Sequence, residues 1–263
     1  MRTLVLLLVL LTGATFTRAD NLKYGLYFPK TAWSKTDAFN DWYWPLKKGK
    51  ILTYRGTVKW TVANSTPPLV KEKVITWKMK VVATFRRDQL FAALVKGMPQ
   101  DLCWYDEAKK PGLYLIVRVG AGHYFLEDNP VRVQQIFYGE LKNSKALKTA
   151  NLEKLLCDEN LFLDAPLVAN KMWGAVDAFQ YIRSDRSYCW IVEKAAKTNF
   201  GQTWRLFYQT LPDHQIVDFA PGVGITYFEY VHRGTVSECY LELVKSGKKT
   251  QPTKKIPVAK RPF

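Results

Sequence analysis

Between Tyr54 and Thr84 apolar and polar residues alternate with a period of two, broken once by Asn64-Ser65-Thr66-Pro67-Pro68. A period of two sends successive side chains to opposite faces, so this stretch can bury one face only as extended chain. It predicts a strand over Tyr54–Val62, a turn, and an antiparallel return over Lys71–Thr84. The pattern recurs near the other end: Ile225–His232 and Thr235–Val244 flank the tight turn Arg233-Gly234. There Ser237, Cys239, Leu241 and Leu243 share one face and Glu238, Tyr240 and Glu242 the other, the signature of a half-buried sheet. Strands are also expected over Gly112–Arg118, His123–Leu126 and Gln134–Tyr138. Two short helices fit Gln89–Lys96, with Asp88 as N-cap and Gly97 as stop, and Leu152–Cys157, with Asn151 as cap. The expected fold is mainly β: a large curved antiparallel sheet, a half-barrel, or two pseudo-repeated sheets with a few short helices.

An internal echo bears on the choice. Pro45-Leu46-Lys47-Lys48-Gly49 and Pro166-Leu167-Val168-Ala169-Asn170 each follow aromatic or apolar residues. Each also precedes a strand and then a Trp-bearing strand (Trp77, Trp190). Gly or Asn in fifth place suits a residue at positive φ, and Pro stiffens the approach. Two related β units are therefore expected, residues 20–150 and 151–244, either separate or one continuous domain.

Residues 1–19, MRTLVLLLVLLTGATFTRA, place Arg2 before an apolar stretch from Leu4 to Leu11 and end in small and polar residues. This is the pattern of a secretory signal peptide cut after Ala19, too short in its apolar part to span a bilayer. The chain is thus expected to be exported, periplasmic or extracellular, where thiols can oxidise. Among Cys103, Cys157, Cys189 and Cys239, a Cys189–Cys239 disulfide is the favoured pairing because both lie in expected strands. The formal charge of +16 invites a polyanion partner, but the segment Lys245–Phe263 alone carries seven basic residues, no acid and three prolines. That composition predicts a disordered tail able to touch an anionic envelope surface. The folded part shows no nucleic-acid motif, so no specific nucleic-acid partner is expected.

Two stretches carry a resemblance. Asp41-Trp42-Tyr43-Trp44-Pro45-Leu46-Lys47-Lys48-Gly49 with Tyr54 resembles a PLxxGxxWxY entry segment. Phe219-Ala220-Pro221-Gly222-Val223-Gly224, followed by Tyr230, His232, Gly234 and Thr235, resembles an APGVGxxxYxYxHxGT closing segment. Both are similar to exported bacterial proteins of unknown function. The chain departs at Leu52, where an aromatic is usual, and at Arg233, where a second His is common. The resemblance implies an envelope protein on a curved antiparallel sheet, like that of periplasmic lipoprotein carriers, and implies no activity.

Chemistry has few candidates. The three histidines, His123, His214 and His232, show no ligand spacing, and GxSxG, HExxH, P-loop and GxGxxG are absent. No catalytic residue, metal or cofactor is assigned. The aromatic content of 14% needs a place to pack. Trp60, Trp77, Trp190, Trp204, Tyr227, Tyr230 and Tyr240 are expected to line the concave side of the sheet and hold a hydrophobic or lipid-like ligand. The alternatives are a hydrolase acting on envelope material, and a structural or polymer-binding module using the tail.

Overall fold

The computed structural model describes residues 43–87, 90–127, 129–143, 155–174, 188–210 and 212–244. The expected signal segment, the basic tail and the Asn151 cap lie outside them. Twelve strands form one antiparallel sheet that curls until it is nearly closed into a barrel. The first half runs β1 (Ile51–Thr61), β2 (Val70–Arg87), β3 (Leu90–Lys96), β4 (Leu113–Val119), β5 (Gly122–Glu127) and β6 (Leu161–Asp164). The second runs β7 (Met172–Gly174), β8 (Cys189–Thr198), β9 (Gly201–Gln209), β10 (Asp213–Ala220), β11 (Gly224–His232) and β12 (Ser237–Leu243). Their spatial order is β6-β5-β4-β3-β2-β1-β12-β11-β10-β9-β8-β7.

Each half is a meander, and the two meet at β1 and β12, whose ladder runs from Tyr54↔Leu243 to Trp60↔Ser237. The opening turns of the halves match in detail. Gly49 has φ 83° and Asn170 φ 66°. Gly49 N donates to Val81 O (2.9 Å) and Val81 N to Lys50 O (2.9 Å); Asn170 N donates to Val192 O (2.8 Å) and Val192 N to Lys171 O (2.9 Å). A bulge follows each time, between Val81 and Ala83 and between Val192 and Lys194. The sequence echo thus marks the same turn at the start of each six-strand unit.

Period two fills the interior. Leu52, Tyr54, Val58 and Trp60 of β1 are buried together with Trp77, Met79 and Val81 of β2 and Phe228, Tyr230, Cys239 and Leu241 of β11 and β12. The Trp44 ring closes the core, packing at 5.6 Å on His123, Phe162 and Phe219.

Three expectations are corrected. Residues 90–96 form β3, not a helix: Ala92, Ala93, Leu94 and Val95 are all buried. A strand covered on both faces loses its alternation and reads as a continuous apolar run. Its cover is helical: α1 (Pro130–Gln134) runs on as a π-helical stretch, Gln135–Leu141, where a strand was expected. Asn129 caps it by accepting from Val131 N (2.8 Å), with Pro130 in the first turn. Finally, none of the four cysteines is in a disulfide. Cys189 on β8 and Cys239 on β12 have three strands between them. At about 4.8 Å per strand, they lie beyond the roughly 7 Å Cα separation that a disulfide tolerates.

Candidate functional site

One end of the barrel is not packed solid. The connection from β3 to β4 folds over it through a 3₁₀ turn, Pro99–Leu102. Buried Asp101 clasps this loop, accepting from Gly112 N (3.0 Å) and from the Tyr114 hydroxyl. Burial lifts the Asp101 pKa above its ordinary value, against those hydrogen bonds and the charge of Lys109. Trp77 supports the loop from below, its indole N–H donating to Gly97 O (3.1 Å). The clasp places Gln100, Cys103, Trp104 and Lys109 over a cavity of about 500 Å³.

The opposite wall is one row across the sheet. Register aligns Trp190 with Tyr208, Tyr208 with Gln215, and Gln215 with Tyr230. All four line the cavity, with Phe125, Leu161 and Phe162 from β5 and β6 and with Glu159, Asn160 and Asp213 at the rim. The side-chain Nε2 and Oε1 of Gln100 are both shut from water and have no hydrogen-bond partner. Trp104 is 52% exposed, held at φ 54°, with its ring 4.3 Å from the imidazole of His232. An unpaired buried amide and a half-exposed indole both cost free energy in the absence of a ligand.

Asp213 accepts from Tyr230 Oη (3.2 Å) and hydrogen-bonds Nδ1 of His232. Burial, reinforced by the Asp213 charge, pushes the Tyr230 phenol well above its usual pKa. Register adds Ser237 opposite His232, so one row reads Asp213–His232–Ser237. The order is that of a hydrolytic triad, but the geometry is not. No hydrogen bond joins His232 to Ser237, and Nε2 points to the turn, 2.6 Å from where a Gly234 Cβ would stand. Neither His232 nor Ser237 lines the cavity.

Of the residues singled out from sequence, Trp190 and Tyr230 line the cavity. Trp60 packs edge-on against Tyr105 (4.9 Å), and Trp77 lies under the loop. Trp204 stands in register with Phe219, against the core. Tyr227 and Tyr240 take the opposite face of the sheet, in register with Glu242 and Glu229. The histidines are not brought together: His123 packs on Trp44, His214 bonds Glu229, and His232 bonds Asp213. Among the described residues no group of three His, Cys, Asp or Glu could hold a metal. Sequence reasoning missed Gln100, Trp104, Tyr208 and Gln215; the last two join the site only through register between β8, β9, β10 and β11.

That opposite face carries its own polar network. Arg205 grips Asp218 through Nε and Nη2, each at 2.7 Å, and lies 5.7 Å from the Tyr227 ring. Glu229, 7% exposed, accepts from Tyr227 Oη (2.6 Å) and meets His214 Nε2 at 3.4 Å. Burial alone would raise the Glu229 pKa, but the His214 and Tyr227 hydrogen bonds and the His214 and Arg205 charges bring it below its ordinary 4.5. A carboxylate with a depressed folded pKa contributes stability above its unfolded value and loses it as pH falls through the folded one. Glu229→Gln is therefore expected to cost about 2 kcal/mol at pH 7. The deficit should shrink toward zero below about pH 4. Urea midpoints measured from pH 7 to 3 check this; a deficit constant with pH would refute the assignment.

No family model matches the chain. Nor does any curated protein match. Among solved structures, a candidate exported protein with YmcC-like fold from Bacteroides fragilis matches 77% of this chain and 97% of its own, at 12% identity and TM-score 0.31. A candidate lipoprotein from Parabacteroides distasonis matches 77% and 96%, at 7% identity and TM-score 0.32. The chain is thus similar to these two proteins at low identity and low structural overlap, and the assignment of a role falls to its own geometry.

Proposed function

We propose that the protein is a non-enzymatic exported binding protein whose ligand sits in the barrel-end cavity. The observation that carries this is the contrast between an interior packed by Tyr54, Met79, Leu115 and Phe228 and an open end of about 500 Å³. That volume lies in the range of small-molecule sites, and the lining combines rings with a few convergent polar groups, the usual composition of such sites. The ligand is compact rather than a long acyl chain, because Trp44 fills the space behind Phe162. A lipid-like occupant remains the second reading, favoured by the ring-rich wall of Phe125, Phe162 and Trp190. Export rests on the N-terminal segment, and the basic stretch Lys245–Phe263 would hold the protein near an anionic envelope surface.

The test is native mass spectrometry of the full chain recovered from a cell envelope. The expected result is a retained small molecule that is lost when Gln215→Trp fills the cavity and kept in Ser237→Ala. Hydrolysis of envelope material that Ser237→Ala abolishes would replace this reading with the hydrolase. A wild type carrying no molecule would remove its basis.

A further inference from the structure

We infer that the cavity takes a neutral carbohydrate, one or two pyranose rings of a glycan, stacked on Trp104 and hydrogen-bonded by Gln100 and Gln215. The inference deepens the reading of the cavity as a ligand site and rests on it.

Three observations restrict the ligand class. The first is the form of the apolar surface. Trp104 stands 52% exposed at the rim, held in the left-handed backbone region and braced by His232 at 4.3 Å and Tyr230 at 6.3 Å. A non-glycine residue in that region is strained, and such strain persists where the surrounding structure imposes it. Here it presents a rigid flat ring to solvent, while Tyr208 and Trp190, 5.1 Å apart, form a second ring surface on the opposite wall. Flat faces suit a ligand with flat apolar C–H faces; an alkyl chain gains nothing from their orientation.

The second observation is the polar complement. Gln100 and Gln215 are amides, each able to donate and accept, and both atoms of the Gln100 amide are buried with no partner. A hydroxyl also donates and accepts, so vicinal hydroxyls on a ring edge satisfy such amides where a hydrocarbon leaves them unpaired.

The third is charge. Among the described residues the lining offers a single lysine, Lys109, against the carboxylates of Glu159 and Asp213, and Asp213 is already engaged by His232 and Tyr230. Phosphate or carboxylate ligands call for a cationic cradle. Among the described residues the lining provides none, so it suits a neutral ligand with apolar faces and hydroxyl edges better than an anionic one.

The experiment titrates the full chain with neutral disaccharides and trisaccharides of glucose, galactose, mannose and N-acetylglucosamine, and separately with palmitate, following tryptophan fluorescence and calorimetry. At least one sugar is expected to bind saturably. Trp104→Ala should weaken it about tenfold or more, Trp104→Phe about threefold or less, and Gln100→Ala about fivefold. Trp104 is half-exposed at the rim, so its two variants should keep wild-type melting temperatures. Palmitate binding that Gln215→Trp abolishes, with no sugar bound, overturns the carbohydrate assignment and leaves the cavity reading intact. Sugar binding that none of these variants changes puts the ligand elsewhere and overturns both. Failure of every sugar and of palmitate overturns the carbohydrate assignment.

Discussion

Gly56→Ala is expected to abolish the fold or lower stability by more than about 4 kcal/mol. Gly56 sits mid-strand in β1, in register with Leu241 of β12, where the first and last strands join. A Cβ at this position would stand 1.7 Å from the Tyr240 carbonyl oxygen and 2.9 Å from Leu241 Cα. Both obstacles are backbone, so no side-chain rotation relieves them; β1 and β12 would have to separate. Separation breaks a ladder that spans Tyr54 to Trp60 and disturbs Tyr54, whose hydroxyl donates to Ile225 O (3.1 Å). Gly139→Ala is the matched control. An added Cβ there meets nothing within 4 Å in the helical stretch, and loss of glycine's freedom should leave stability unchanged or slightly raised. Soluble expression and urea unfolding compare the two. A Gly56→Ala protein within about 1 kcal/mol of wild type would mean that β1 and β12 are not packed as closely as described.

What the sequence disclosed depended on whether an element's burial is visible along the chain. β1, β2 and β12 each bury one face, so Tyr54, Val58 and Trp60, or Cys239 and Leu241, stand out against charged neighbours. β3 buries two faces under α1 and the π-helical stretch, and its run Leu90–Val95 carries no period to read. The helical stretch went unread because its Val, Ile and Phe residues favour strand on propensity. The Gly49 and Asn170 turns were legible because positive φ has few tenants. The candidate site was half legible. Trp190 and Tyr230 are large aromatics in clear strands, whereas Tyr208 and Gln215 join them only through register between strands. Gln100 and Trp104 come from a loop shaped by the buried Asp101 clasp, and nothing local to the chain announces where that loop lands.

The other join between the halves gives the second large effect. β6 and β7 end the spatial order and share no ladder, so the barrel closes there through side chains. The Trp173 indole N–H donates to Leu161 O (3.1 Å), and Lys171 Nζ reaches Asp164 O (2.8 Å), Pro166 O (3.1 Å) and the Asp164 carboxylate (3.1 Å). Leu167 N donates to Tyr43 Oη at 3.0 Å. Trp173 is 3% exposed, so its removal takes away both a large packed side chain and the bond that caps the β6 edge. Trp173→Ala is expected to cost about 3–5 kcal/mol, and Trp173→Phe, which keeps most of the packing and loses the N–H, about 1–2 kcal/mol. Hydrogen exchange separates a local opening from a general loss of stability. Amides of residues 161–164 and 172–174 should lose protection in Trp173→Phe while those of β1 and β12 keep theirs, because the β1–β12 ladder does not depend on the indole. Leu161 and Phe162 also line the cavity, so the same variant should weaken ligand binding without touching the Trp104 platform. Equal loss of protection at both joins would show that Trp173 is one more core residue and that the barrel has no weaker side.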